Sequence, residues 1–381
     1  RARCDPAGDA SVCETAGHVV PSGALAANDL PESRNNARIH HCRHFESLPM
    51  PEPTNHQPLN VHVNLGSRSY HVRVGAGLIQ TAGIEAQTVL PGRNHAVLLT
   101  DSNVGPLYAK TVRQSLESVG IKVDVVTVPA GEASKSMQIS QEVCSAMAAA
   151  RLDRKGFLVA LGGGVIGDLG GFCAAIYQRG IPFMQIPTSV LAQVDSSVGG
   201  KTGVNLPEAK NMVGCFHQPA IVLADTDTLD SLPKREWNEG FAEIIKHAGI
   251  RDAAMFDEIE KVAAGTGDLP ALIHRNVAIK ARVVEADETE TLGIRALLNF
   301  GHTIGHAIEA GMGYGAWLHC EGVGVGMLMA AELSLRLGLV DAGFVDRLRT
   351  LVQRAGLPLR APVLDAEDNA GRYLALMRVD K

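Results

Sequence analysis

No two cysteines of this chain stand as CxxC. The seven present (Cys4, Cys13, Cys42, Cys144, Cys173, Cys215 and Cys320) are odd in number and unpaired in spacing. That argues against a disulfide scaffold and leads us to expect a reducing, cytoplasmic setting. No run of about 18 apolar residues occurs, so a membrane-spanning helix is not expected. The most apolar window, residues 322–340, is broken by Glu332 and Arg336 and is spaced as an amphipathic helix. The N-terminus has no basic stretch followed by a long apolar core, so it carries no signal-peptide pattern. Positive charge is not in excess. The formal net charge is −6, which argues against nucleic-acid binding by the protein as a whole. No internal repeat is visible.

What is present describes a globular chain of 381 residues, 46% hydrophobic and 20% charged, enough for one large domain or two ordinary ones. Residues 1–49 show no apolar periodicity. Their HHCRH tract at 40–44 is read as incidental and not as a metal site. We expect this segment to be a disordered leader outside the native protein. Regular patterning begins after Met50.

Residues 59–75 alternate with period two and read as a β-hairpin turning near Gly66-Ser67. Strand patterns follow at 95–101, 123–131, 157–164, 182–187 and 221–225, with helical patterns at 103–120, 134–152 and 165–180. Short apolar strands alternating with helices imply a mostly parallel, Rossmann-like α/β domain. Beyond about Leu232 only helical patterns remain, at 233–250, 252–264, 270–287, 297–311, 318–338 and 341–355. The expected organisation is an α/β domain over 50–229 followed by an all-α domain over 230–381, with the ligand cleft at their junction.

Three motifs carry chemistry. Gly162, Gly164 and Gly167 form G-x-G-x-x-G between a strand and a helix. Glycine there lets backbone approach a pyrophosphate, and the helix N-terminus offers free N–H groups. The acidic residue usual about twenty positions later is missing, since that stretch reads QIPTSV, so Asp101 is the better ribose contact. DSSVGGKTGVN and EAKNMVG place Asp195, Lys201, Asn205, Lys210 and Asn211 in glycine-rich loops suited to a phosphate or carboxylate. The alternative is a solvated loop. Finally, His302, His306 and His319 fall in one short helical neighbourhood, and Glu243 and Lys246 sit one turn apart upstream. A carboxylate with imidazoles suits a catalytic divalent metal. The i,i+4 spacing of His302 and His306 suggests that both ligate, but spacing does not decide which three do.

Taken together, these motifs resemble those of the 3-dehydroquinate synthase family, from about Leu59 to Lys381. The stretches that carry the likeness include TDSNV, PAGEASK, GGGVIGDLGGF, QVDSSVGGKTGVN, KNMVGCFHQP, GFAEIIKHA, RALLNFGHTIGHAIE and LHCEGVGVGM. The resemblance implies an N-terminal domain holding NAD and a helical domain holding Zn²⁺ or Co²⁺. It implies Glu243, His302 and His319 as metal ligands, with His306 facing substrate. NAD contacts would fall on Asp101, Asn103, Glu132, Lys135, Gly163, Gly164, Val165, Asp168, Thr188 and Ser189, and also on Leu232 and Glu236. Substrate contacts would fall on Asp195, Lys201, Lys210, Asn211, Lys246, Lys280, Arg295, Asn299 and His306. Arg179 would cross a homodimer interface to the substrate phosphate.

The implied reaction converts 3-deoxy-D-arabino-heptulosonate 7-phosphate into 3-dehydroquinate and phosphate, a step of the shikimate pathway. The sequence departs from the family pattern at Cys320 and Ala209, where glycine is usual, and by an extra residue around Thr291-Leu292. Family members also continue beyond Lys381 with a further phosphate-binding lysine, so a C-terminally truncated chain with weakened phosphate binding is expected. Alternatives are another sugar phosphate cyclase acting on sedoheptulose 7-phosphate, a metal-dependent polyol dehydrogenase of related fold, and an inactive nucleotide-binding remnant. Keeping Lys280, Arg295 and Asn299 favours the substrate that bears a carboxylate.

Overall fold

Alternating apolar residues place β1 (Leu59–Val63) against β2 (Tyr70–Gly75) in an antiparallel pair, Leu59 opposite Val74, joined through a 3-10 turn at Gly66–Arg68. The computed structural model describes residues 57–313 and 316–378. The expected leader at 1–49, its HHCRH tract and Lys381 lie outside the described residues.

The strands continue as β3 (His95–Asp101), β4 (Lys122–Val128), β5 (Phe157–Gly162), β6 (Phe183–Pro187), β7 (Lys201–Val204), β8 (Val213–Phe216) and β9 (Ile221–Asp225). Seven of them form one sheet in the order β1-β2-β9-β6-β5-β3-β4, parallel except for β1. Every residue of β5 and β9 is buried, as expected for strands covered on both faces. Helices α1 (Ala82–Val89), α2 (Lys110–Ser118), α3 (Met137–Ala149) and α4 (Gly164–Ile176) accompany this sheet. The α/β reading therefore holds.

β7 and β8 form a separate antiparallel ribbon that the sequence reading took for a loop. The ribbon is made by glycine. A methyl on Gly203 would lie 2.6 Å from Val213 O, and one on Gly214 2.2 Å from Thr202 O. Strands of four residues with glycine at the pairing positions leave no apolar alternation to read.

After Asp225 come a 3-10 turn, Thr226–Ser231, and then helices only: α5 (Lys234–Arg251), α6 (Phe256–Ala263), α7 (Leu269–Ala286), α8 (His302–Met312), α9 (His319–Arg336), α10 (Ala342–Arg354) and α11 (Asn369–Met377). The helix expected over 297–311 is divided. A 3-10 turn at Ile294–Asn299 precedes α8, and Gly301, in the left-handed region at φ 82°, breaks the run. The helix expected over 252–264 likewise divides into a 3-10 turn at Ala253–Met255 and α6. The helix expected to reach 180 ends at Ile176, because Gln178 and Arg179 adopt positive φ. One hydrophobic cluster joins Val61, Val63, Tyr70 and Val72 of the first hairpin to Phe241, Ile244, Ile273 and Val277 of the helices. The core thus runs continuously past the expected boundary between residues 229 and 230. Among the described residues no helix is long and apolar enough to cross a membrane, and Cys144, Cys173, Cys215 and Cys320 are free thiols.

Candidate active site

The connection from β3 to β4 runs outward, and the chain then returns to β5 on the other side of β3. That reversal opens a crevice beyond the carboxyl ends of β3 and β5, where open α/β sheets bind ligands. Asp101 closes β3, and its Oδ1 accepts from the backbone N–H groups of Asn103 and Val104 at 2.8 and 3.0 Å. Gly163 and Gly164 follow β5, Val165 lies in the first turn of α4, and Asp168 is one turn further.

These glycines divide by role. A methyl on Gly167 would sit 2.1 Å from Gln185 Nε2, so a side chain there would displace the Gln185 amide that packs against α4. A methyl on Gly163 would meet only Ser189 Oγ, at 3.6 Å. Internal packing therefore does not demand glycine at 163. Thr188 is buried, and its N–H donates to Gly162 O at 3.0 Å. Buried Lys135 bridges Asp168, at 2.5 Å, and Asn211. Asn205 donates to Glu132 at 2.7 Å and accepts from Asn211 N–H at 2.8 Å. Residues expected to hold NAD and residues expected to hold substrate therefore share one hydrogen-bonded network. Leu232 follows the 3-10 turn and Glu236 lies in the first turn of α5.

The metal candidates come from α5, α8 and α9. Residues 240–248 of α5 are buried, including Glu243, Lys246 and His247. A methyl on Gly240 would meet Val190 Cβ at 2.3 Å, so glycine lets α5 lie this deep. α8 and α9 meet along a seam of glycines. A methyl on Gly326 would fall 2.0 Å from Gly301 O, and one on Gly305 2.9 Å from Val323 N. Glu321 caps the start of α9 by accepting from Leu318 N–H at 2.9 Å, and Arg235 of α5 grips both its carboxylate oxygens at 2.8 Å. This fixes His319 at the helix N-terminus.

The result is a triangle of imidazoles. Ring centres of His302 and His319 are 5.2 Å apart, His302 and His306 5.5 Å, and His306 and His319 5.6 Å. His302 Nε2 lies 3.9 Å from Glu243 Oε1. Burial pushes the His302 pKa down to about 3, so its ring is neutral with a lone pair to give. Donor atoms of Glu243, His319 and Cys320 lie within 4.8 Å of one another, as do those of His306, Glu309 and His319. The sequence reading missed Glu309. It is buried, its Oε2 stands 2.8 Å from His319 Nδ1, and its Oε1 accepts from Lys210 at 2.7 Å. Burial alone would raise the Glu309 carboxyl, but His319 and Lys210 lower it to about 2. An ionised Glu309 holds the His319 ring by Nδ1 and leaves Nε2 free, the usual support of a metal-binding histidine. Its signal was available in HTIGHAIE, where Glu309 stands one turn after His306.

Beside this triangle lies a buried charged cluster. Glu243 and Lys246 form an ion pair with both side chains at most 2% exposed. Lys280 Nζ contacts Asp195 Oδ1 at 2.7 Å and its carbonyl at 2.6 Å. Burial would raise the Asp195 carboxyl, but Lys280 and Lys246 together hold it well below the usual range. His247, also unforeseen, reaches Asp195 Oδ1 at 3.4 Å through Nε2, while Nδ1 faces Asn276 Oδ1 at 3.1 Å. The Asn276 amide nitrogen donates to Leu272 O at 2.9 Å, so its oxygen must face His247 and His247 Nδ1 carries a proton. Arg295 is buried, donates to Glu288 O at 2.8 Å and lies 5.8 Å from the Phe216 ring centre.

Other expected contacts stay outside this cluster. Lys201 is exposed and paired with Glu290 at 2.5 Å. Asn299 and Arg179 are exposed.

Residues 125–239 match the family described as 3-dehydroquinate synthase N-terminal, and residues 240–381 that described as 3-dehydroquinate synthase C-terminal. Among solved structures, 2-deoxy-scyllo-inosose synthase complexed with carbaglucose-6-phosphate, NAD⁺ and Co²⁺ is 25% identical, with a TM-score of 0.73 over 84% of this chain and 87% of that one. ValA, a 2-epi-5-epi-valiolone synthase from Streptomyces hygroscopicus subsp. jinggangensis 5008 with NAD⁺ and Zn²⁺ bound, is 28% identical, with a TM-score of 0.72 over 80% and 85%. Glycerol dehydrogenase from Schizosaccharomyces pombe, 16% identical with a TM-score of 0.52 over 80% of each chain, shares the fold alone.

Proposed function

The chain belongs to the sugar phosphate cyclase superfamily, and from that premise we propose that it is a 3-dehydroquinate synthase using NAD and Zn²⁺ or Co²⁺. Its substrate is then 3-deoxy-D-arabino-heptulosonate 7-phosphate, and its products are 3-dehydroquinate and phosphate.

The observation that carries this reading is the depth of Lys280 and Arg295, which are 5% and 2% exposed. Burial lowers the pKa of each, so each cation is held against a desolvation cost, which Asp195 offsets in part for Lys280. Arg295 Nε is buried without a hydrogen-bond partner. A substrate carboxylate offsets that cost, and the heptulosonate phosphate has one besides its phosphate.

The residues fit the two cofactors. Glu243, His302 and His319 offer one carboxylate and two imidazoles, a donor set suited to Zn²⁺ or Co²⁺. The open backbone at Gly163 and the N-terminus of α4 fit a pyrophosphate. When bound, the metal supplies charge that favours ionised substrate hydroxyls, and NAD supplies a hydride acceptor that is regenerated within one turnover. The chain does the rest. Asp195, kept ionised by Lys280 and Lys246, accepts a substrate O–H. Lys201 and Lys210 hold phosphate by exchanging their Glu290 and Glu309 partners for it. Exposed Arg179 reaches the phosphate of a partner copy in a homodimer.

The test is a coupled measurement. Incubation with the heptulosonate phosphate, NAD and Zn²⁺ releases phosphate with no accumulation of NADH. Net NADH selects a dehydrogenase instead. Faster phosphate release from sedoheptulose 7-phosphate, which lacks the carboxylate, selects another cyclase, a reading favoured by the likeness to ValA. For the metal assignment, Glu243→Ala, His302→Ala and His319→Ala each lose bound metal while His306→Ala keeps it. Retention in His319→Ala with loss in His306→Ala reverses the assignment.

A further inference from the structure

The side chain after the metal histidine is a cysteine, and its sulfur faces the centre. Cys320 is the second residue of α9, whose position is fixed by the Glu321 cap and by the glycine seam with α8. Its side chain is fully buried. Its backbone N–H points to Glu239 at 3.4 Å, and its Sγ stands 3.8 Å from Glu243 Oε1. The donor atoms of Glu243, His319 and Cys320 lie within 4.8 Å of one another. We propose that Cys320 is a further ligand of the metal centre, so that the ion is held by Glu243, His302, His319 and a thiolate.

The distances suit this. With metal–sulfur and metal–oxygen bonds of about 2.3 and 2.0 Å, a tetrahedral site separates sulfur from oxygen by about 3.5 Å. The observed separation is 3.8 Å. Imidazole nitrogen and carboxylate oxygen need about 3.3 Å by the same geometry, and His302 Nε2 stands 3.9 Å from Glu243 Oε1. Contractions of about 0.3 and 0.6 Å close these two edges. His302 lies outside the mutual 4.8 Å group of Glu243, His319 and Cys320, so its ring must also swing toward them on binding. On binding, the S–H proton leaves to the buffer and the sulfur lone pair bonds the ion.

Two consequences follow. A soft sulfur donor beside imidazoles selects Zn²⁺ and Co²⁺ against Mg²⁺ and Mn²⁺. Four protein ligands also mean that substrate hydroxyls reach the ion only by raising its coordination number.

The proposal rests on the metal reading above, and cobalt spectroscopy separates the two. The full chain is used with Cys42→Ser, because His40, His41, Cys42 and His44 could collect metal by themselves. Loading with Co²⁺ is expected to give one equivalent bound, visible ligand-field bands and a near-ultraviolet sulfur-to-cobalt charge-transfer band. Cys320→Ala is expected to lose the charge-transfer band, keep the ligand-field bands and bind Co²⁺ more weakly by at least the roughly 10- to 100-fold that loss of an outer-shell partner costs. Cys320→Ser, nearly isosteric, guards against misfolding and must lose the band as well. One equivalent of Co²⁺ without the band, or a band that survives in both variants, overturns the sulfur ligand and leaves the Glu243–His302–His319 site standing. No Co²⁺ bound at all overturns the metal reading and this proposal with it.

Discussion

The crevice beyond the carboxyl ends of β3 and β5 and the histidine cluster where α8 meets α9 are both built on glycine, and glycine serves opposite ends in them. At Gly163 an added methyl meets little, with Ser189 Oγ 3.6 Å away, so the missing side chain leaves backbone N–H groups within reach of a ligand. At Gly301, Gly305 and Gly326 an added methyl would strike the facing helix backbone at 2.6, 2.9 and 2.0 Å. There the missing side chains bring imidazoles from two helices together. The same letter in the sequence marks access in one region and closeness in the other. Gly163 itself is accordingly decoupled from stability, whereas the glycines of the α8–α9 seam are part of the packing that holds the histidines together.

The sharpest way to break this contrast is Lys246→Met. It leaves Glu243 charged and unpaired at 1% exposure, which costs about 3–5 kcal/mol. Denaturant unfolding at neutral pH measures it, and a loss below about 1 kcal/mol would place the pair effectively in solvent. Metal removal comes next. An ion at a free concentration of about 100 times its Kd adds about 2.7 kcal/mol, so a chelator should lower Tm and speed hydrogen exchange in α8 and α9 but not in β3 or β5. Equal loosening in both regions contradicts the contrast.

Gly326→Ala should cost about 1–3 kcal/mol by overpacking. Its control is Gly324→Ala, where the nearest atom to a new methyl is Leu357 Cδ1 at 3.5 Å and where stability should stay within about 0.5 kcal/mol. If the two variants melt together, the seam is not what holds the helices close. The smallest stability change belongs to Gly163→Ala, within about 0.5 kcal/mol. Its NAD affinity should nevertheless fall by tenfold or more, about 1.4 kcal/mol, in a direct titration. An alanine variant that binds NAD normally would remove the functional meaning given to that glycine.

The legibility of the sequence followed the range of the interaction. β3, β5 and β9 are continuous apolar runs between turn residues, and local pattern suffices for them. β7 and β8 are ordered by contacts between backbones, which leave no mark in hydropathy. His302, His306 and His319 stood out because they are near in sequence. Glu309 stands among them, three residues after His306, but its bridge from His319 to Lys210, 99 residues away, is visible only in the fold. His247 and Asn276 read as ordinary helix residues until α5 and α7 pack. Arg295 and Asn299 looked equivalent, yet the 3-10 turn that carries both buries one and exposes the other.

Lys135 touches Asp168 of α4 at one end of its ammonium group and Asn211 of the β7–β8 connection at the other. Two ligands that draw on one side chain do not bind independently. The free energy by which occupancy of the crevice changes affinity at the Asn211 loop must equal the free energy by which occupancy of that loop changes affinity in the crevice. On the proposed assignment of NAD to the crevice and of substrate to the Asn211 loop, this one lysine would make the two binding equilibria a single linked function, with a coupling of the same size read from either side.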